Sequence, residues 1–294
     1  MSRNSSEEFT IDKKWLRNSF SQSAPTYNQV SVLQQEVANH LIERLELMTM
    51  VPESVLDLGS GTGFCSEQLL ARYPKSSLYS VDIAHGMLTY ARSQKSWLRK
   101  FRQKQSFICG DAESLPLQKN SVDMVVSSLA LQWCFDQSAV FENLYRVLKP
   151  GGLLMFATMG PDTLKELRQS WASVDDKSHV SGFYDMHDVG DALIRAGFAD
   201  PVMDVEHIKL TYKQVGDLMK DLKALGSRNA VSGRSHALTG KQKFKGMLQA
   251  YENFRQDDLL PASYEIVYGH AWIPEEKRDF VNPGKDFPIP VTSQ

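Results

Sequence analysis

The sequence predicts an α/β fold: a seven-stranded, doubly wound sheet with an N-terminal helical segment and a helical insert before the last strand. Three observations predict it. From Ser54 to Thr158, short apolar runs alternate with runs of helical period, which argues for a parallel sheet wrapped on both faces. Three glycines, Gly59, Gly61 and Gly63, crowd the turn after the first apolar run, where a strand gives way to a helix. The length, 294 residues, suits one large α/β domain with insertions.

The elements follow in order. Residues 1–12 are polar and expected to fray. Lys13 to Leu47 is helical, with Val30, Leu33, Val37 and Leu41 recurring at spacings of three and four. Pro25, just before Tyr27 and Asn28, predicts a break between two helical pieces. Strands are expected at Ser54–Leu58, Ser77–Val81, Gln105–Cys109, Val122–Ser127 and Gly152–Thr158. Between them, helices are expected at Phe64–Tyr73, Gly86–Gln94 and Phe141–Leu148, the last stopped by Lys149-Pro150-Gly151-Gly152. Asp188–Ala196 is a helix closed by Gly197, and Val202–Tyr212 and Ser263–Ile273 read as the last two strands. In the insert, Phe244, Met247, Leu248 and Tyr251 make an apolar helical stripe, and the proline-rich tail after Pro274 is expected to be loose. The implied organisation is a helical lid over 1–48, a binding core over 49–212, an insert over 213–261, and a last strand and tail over 262–294.

Composition narrows the function classes. A formal net charge of −2 argues against nucleic acid as a partner. No apolar run has the length of a membrane span, and MSRNSSEEF lacks the apolar core of a signal peptide. Cys65, Cys109 and Cys134 have no CxxC spacing and read as free thiols of a cytoplasmic protein. His179, His187, His207 and His270 show no metal spacing, so no metal is expected.

The chemistry concentrates at Asp57-Leu58-Gly59-Ser60-Gly61-Thr62-Gly63. The spacing is D-x-G-x-G-x-G, not the G-x-G-x-x-G that grips pyrophosphate. An acid opening the turn repels phosphate and suits a ligand carrying a cation or an amino group. S-adenosylmethionine has both and no phosphate. Asp82 ends the second strand, where an acid can hold both hydroxyls of a ribose or cap the next helix. Asp111 follows the third, where it can accept from an adenine amino group or serve the turn. All three acids stand at carboxyl ends of successive strands, the ligand crevice of a doubly wound sheet.

These residues resemble class I methyltransferases that use S-adenosylmethionine, which have a Rossmann-like sheet. DLGSGTG is similar to their first motif, Val81-Asp82 to their second, GDAESLP to their third, and LKPGG to the loop before their fifth strand. The resemblance implies further cofactor contacts at Ile83, Met87, Ala112 and Ser128. A closer likeness runs over nearly the whole chain. RNSFSQSAPTYN, SSLALQWC, LKALGSRNAVSGR and SYEIVYGHAW resemble the malonyl-acyl carrier protein O-methyltransferase family of biotin synthesis. Asn28 stands where that family often has Asp after the Tyr.

The closer likeness implies methylation of the free carboxylate of a malonyl thioester on acyl carrier protein. Such a carboxylate is ionised at neutral pH, so no general base is needed. Positioning is then the main contribution, worth about 7–11 kcal/mol when the geometry is right. A closed pocket with one cation is expected, and Arg228 and Arg234 are the candidates. Gln132 and Trp133 follow the fourth strand beside the expected methyl position, and Tyr27 is a candidate lid residue. Trp133 and Tyr27 read equally as packed aromatics. From His207 to Arg255, ten bases stand against three acids, a local +7 that suits an acidic carrier protein or a solvated helix face. The competing readings are a quinone-pathway or other small-molecule methyltransferase and a non-methylating respiratory-complex assembly factor.

Overall fold

A computed structural model describes residues 12–96, 104–177, 179–227 and 240–277. The strands are β1 (Ser54–Leu58), β2 (Ser77–Asp82), β3 (Gln105–Cys109), β4 (Val122–Ser128), β5 (Leu148–Met159), β6 (Ala199–Tyr212) and β7 (Leu260–Trp272). They form one sheet in the order β3-β2-β1-β4-β5-β7-β6. β7 runs antiparallel to both its neighbours, and every other pairing is parallel. The chain winds outward through β2 and β3 on one side of β1 and through β4 and β5 on the other. That reversal opens a crevice at the carboxyl ends of β1 and β4.

The described helices are α1 (Lys13–Val30), α2 (Val32–Arg44), α3 (Phe64–Arg72), α4 (His85–Gln94), α5 (Gln137–Val147), α6 (Lys165–Ala172), α7 (Met186–Arg195), α8 (Val215–Ala224) and α9 (Lys241–Glu252). The central strands are mostly apolar because both faces are covered. Successive residues still face opposite layers. Val55, Met124, Leu153 and Met155 pack with α2, α3, α6, α8 and α9, while Leu56, Val125, Leu154 and Phe156 pack with α5 and α7. In α9, Met247 and Tyr251 of the predicted stripe are fully buried, whereas Phe244 at its start is partly exposed.

Several boundaries differ from the sequence reading, and three of them have a local cause. The N-terminal helix does not break at Pro25; α1 runs through it to Val30, and the break falls at Ser31. Proline removes one backbone hydrogen bond, but Ala24 beside it packs in a cluster with Ala84 and Met87, and that burial carries the helix on. α5 starts at Gln137, not Phe141, because the Asp136 side chain accepts from the Ala139 N–H and caps the helix four residues earlier. β5 begins at Leu148, so Lys149 to Gly152 belongs to the strand. Gly151 takes φ +68° there, and the ladder to β4 shifts register between Val122 and Met124.

Gly269 in the middle of β7 faces the fully buried ring of Phe156, and a Cβ there would lie 2.4 Å from that ring. Gly269→Ala is expected to lower stability by ~1–3 kcal/mol through overpacking. Urea denaturation checks this, and an unchanged midpoint would show that the Phe156 ring can move aside.

Candidate active site

The three glycines of the turn do different work. Gly59 has φ +74°, and a Cβ on it would come 2.1 Å from the Cβ of Ala130. What approaches its backbone so closely is therefore the loop after β4. Gly61 has φ +52°, and a Cβ there would meet nothing nearer than 4.0 Å, so the space above it is open. Gly63, at φ +91°, starts α3 and lies outside the cleft wall. Both Gly59 N–H and Ser60 N–H donate to the Val81 carbonyl, at 2.8 and 3.0 Å, which ties the turn to β2.

Asp57 lies beneath the turn rather than in the cleft wall. It is 1% exposed, and Ser66 Oγ donates to its Oδ2 at 2.5 Å. Ser80 Oγ stands 2.9 Å from Ser66 Oγ and accepts from Gln105 Nε2 at 2.7 Å. Burial, with Asp82 nearby, pushes the Asp57 carboxyl up to about 7. Asp82 does line the cleft. Its Oδ2 accepts from Gly61 N–H at 2.8 Å and its Oδ1 from Ala84 N–H at 2.7 Å, so it braces the turn and the start of α4 together. Burial pushes it up to about 6, the two backbone donors opposing.

Of the other expected cofactor residues, Ile83, Met87, Ala112 and Ser128 all line the same cleft. Asp111 does not: its Oδ1 accepts from Glu113 N–H, and its Oδ2 takes Lys13 Nζ of α1 at 2.7 Å. Glu113 also pairs with Lys13, at 2.6 Å, and its Oε1 accepts from Phe135 N–H. Sequence spacing could not show this, because Lys13 is 98 residues away.

Tyr27 reaches the cleft from α1, and burial and the Asp82 charge push its phenol above the ordinary range. Trp133 lies in a short 3₁₀ turn, Leu131–Trp133, with its ring edge-on to Phe20 at 5.4 Å. Gln132 lines the cleft, but its carboxamide is committed: Nε2 donates to the Leu129 carbonyl at 2.7 Å and Oε1 accepts from Thr158 Oγ1 at 3.4 Å. Asn28 Oδ1 accepts from Thr62 Oγ1 at 2.6 Å, so the amide supplies the acceptor that an aspartate would. Arg228 and Arg234 lie outside the described residues.

Beyond Trp133 lies a second, mainly apolar chamber of ≈ 440 Å³. Leu164, Leu167, Trp171, Val180, Phe183, Met219 and Leu222 line it, and Lys223 stands in its wall. Cleft and chamber share Gln34, Trp133, Met159 and Ser227, which mark the neck between them. Sequence reasoning missed Gln34, Met159 and Lys223; Lys223 sits within the quoted LKALGSRNAVSGR run, and the other two carried no motif. His179 walls the chamber, its ring stacked on Trp171 at 3.8 Å and 2.8 Å from Asp175. His207 shares an exposed face with Asp162 and Glu265, ligand atoms within 4.8 Å of one another, away from the cleft. All three cysteines are free, and no described helix is long and apolar enough to cross a membrane.

Residues 56–156 match a methyltransferase domain family. The fold is shared with the YcgJ protein of Bacillus subtilis (TM-score 0.55, 16% identity, 82% of this chain and 100% of that one). It is shared also with phosphoethanolamine N-methyltransferase 2 of Haemonchus contortus, solved with S-adenosylhomocysteine (TM-score 0.50, 19% identity, 80% and 52%). The sheet and the glycine-turn cleft are those of a class I methyltransferase. Over the whole chain the likeness is narrower. A malonyl-[acyl-carrier protein] O-methyltransferase of Gallionella capsiferriformans is 51% identical over 91% of this chain and 93% of its own. One from Laribacter hongkongensis is 50% identical over 95% and 96%. The chain belongs to the malonyl-[acyl-carrier protein] O-methyltransferase family. Neither competing reading is favoured.

An unfolded Asp ionises near pH 4, at about 3.9. Asp57 and Asp82, raised to about 7 and about 6, favour their neutral forms in the fold. Their stabilisation is full below about pH 4 and is lost as pH rises through the raised values. Asp57→Asn keeps an acceptor for Ser66 and cannot titrate. The ligand-free variant is expected to lose less Tm than the parent between about pH 5 and 8, measured by thermal melts across that range. Parallel curves would show that Asp57 does not titrate there.

Proposed function

We propose that the cleft holds S-adenosylmethionine and that the apolar chamber takes the malonyl end of an acyl carrier protein thioester. The observation that carries this reading is the shared neck at Gln34, Trp133, Met159 and Ser227, which joins two cavities of different character. The cleft residues fit the cofactor: open space above Gly61, a half-buried acid at Asp82, and apolar walls at Ile83, Met87 and Ala112. The Haemonchus neighbour was solved with the demethylated cofactor, which supports the same assignment.

When bound, S-adenosylmethionine supplies an electrophilic methyl group on a positively charged sulfur. The chain's part is to bind, orient and exclude water. In this reading Asp82 takes the ribose hydroxyls, the glycine turn and Ser128 take the amino-acid side, and Ala112 flanks the base. Asp111 contributes through its loop, which Lys13 holds in place. Tyr27, Phe20 and Trp133 close the neck from above. Gln132 shapes that loop through its buried bonds rather than by touching the acceptor.

The malonyl carboxylate arrives ionised, so no proton has to be removed. An anion meets a cation and both charges vanish, which an apolar chamber favours by withholding water. A cation in the wall orients the carboxylate without neutralising its attack. Arg228 and Arg234 are the proposed residues, and Lys223 joins them from the described part of the wall. The carrier protein docks on the basic insert. Lys220, Lys243 and Arg255 there have acidic neighbours at 2.7–3.1 Å, while Lys209, Lys213, Lys241 and Lys245 are exposed. The methyl ester primes the pimeloyl chain of biotin in the cytoplasm.

Labelled S-adenosylmethionine with malonyl-, acetyl- and succinyl-acyl carrier protein tests this reading. Label is expected on the malonyl form alone and is released by mild ester hydrolysis. No label on any carrier would overturn it. Of Arg228→Ala, Arg234→Ala and Lys223→Met, the one that removes the orienting cation is expected to lower kcat/KM for malonyl-carrier by roughly 10–100-fold. That follows from ~1.5–3 kcal/mol for a hydrogen bond to a charged group. Cofactor affinity should not change.

A further inference from the structure

Two buried side-chain polar atoms among the described residues have no hydrogen-bond partner: Gln34 Oε1 on α2 and Ser60 Oγ in the glycine turn. Buried polar atoms are nearly always satisfied, and one left unpaired costs about 1–3 kcal/mol. Scattered packing faults would not share a wall, yet both residues line one recess, where Thr62 of the turn meets Asn28 at the end of α1. Gln34 lines the cleft and the chamber as well.

The two atoms ask for opposite things. A carboxamide oxygen can only accept, whereas a hydroxyl can donate. A ligand that meets the amide as acceptor and the hydroxyl as donor brings an N–H or O–H donor and an acceptor in the same small group. The malonyl thioester brings acceptors only. The sulfonium methyl offers no strong donor. The ribose and the base belong to the Asp82 and Ala112 ends of the cleft. What remains is an α-amino acid end, an ammonium beside a carboxylate.

We propose that Gln34 and Ser60 bind the amino-acid end of S-adenosylmethionine, Gln34 Oε1 accepting from the α-ammonium and Ser60 Oγ donating to the α-carboxylate. This rests on the cofactor reading above and extends it. Gln34 lies outside residues 56–156 of the methyltransferase domain match, so the N-terminal helical layer supplies a ligand-binding group of its own. It does so from a rigid element, because Leu33, Val37 and Leu41 of α2 are buried in the main core.

The test is isothermal titration of two ligands, S-adenosylhomocysteine and 5′-methylthioadenosine. The second has the adenosine and the sulfur but lacks the amino-acid end. Gln34→Met and Ser60→Ala are each expected to weaken S-adenosylhomocysteine by roughly tenfold or more and to leave 5′-methylthioadenosine unchanged. Gln34→Glu, which keeps an acceptor oxygen, is expected to retain the parent's S-adenosylhomocysteine affinity. Equal losses for both ligands, or no loss for S-adenosylhomocysteine, would overturn the proposal. A parent protein that binds neither ligand would instead remove the cofactor reading beneath it.

Discussion

Between Gly59 and Ala130 there is no room for a side chain: a Cβ on the glycine would stand 2.1 Å from that of the alanine. This contact presses the turn after β1 against the loop after β4, the two segments that edge the cleft. The turn is held from the other side by two backbone bonds to Val81. Ser128 ends β4, and the loop carries Leu129, Ala130 and the 3₁₀ turn that brings Trp133 to the neck. Leu129 accepts a φ of +50° to make this possible, and its N–H bonds to the Ala157 carbonyl of β5. Strain of that kind persists only where the surroundings over-determine the backbone. Here the parallel ladder of β4 and β5 does so.

Beneath the turn, polarity is buried rather than avoided. Asp57, Ser66, Ser80 and Gln105 form a chain of hydrogen bonds reaching from β1 to α3, β2 and β3. Such a network is costly when half satisfied and stiffening when complete. It explains why an acid can open the glycine motif without facing the cleft. The charge that does face the cleft is Asp82, and it is the residue that links turn, strand and helix through two backbone donors.

The N-terminal helices cover the crevice as an integral layer. Lys13 joins α1 to Asp111 and Glu113, Phe20 meets Trp133, and Asn28 meets Thr62, so α1 is attached at three points along the cleft. α2 is anchored elsewhere. Arg44 lies 3.7 Å over the Tyr268 ring and pairs with Asp204, while His40 and Tyr268 both bond Glu206. The cover is thus fixed to the sheet at α2 and to the cleft rim at α1.

The amino-acid sequence by itself determined the strand–helix alternation, the site of the glycine turn, and the chemical type of residue at each strand's carboxyl end. These are local signals of period two, period 3.6 and backbone conformation, and they survive without knowledge of neighbours. Only the tertiary structure decided what each residue of the motif faces. Gly59 answers to Ala130, 71 positions along the chain; Asp57 answers to Ser66; and Asp111 answers to Lys13. Pro25 did not end α1, because burial against α4 outweighs one missing backbone bond. The neck between cleft and chamber was beyond reach for the same reason. Gln34, Trp133, Met159 and Ser227 come from four separate elements, and only the packing of two layers on one sheet brings them together.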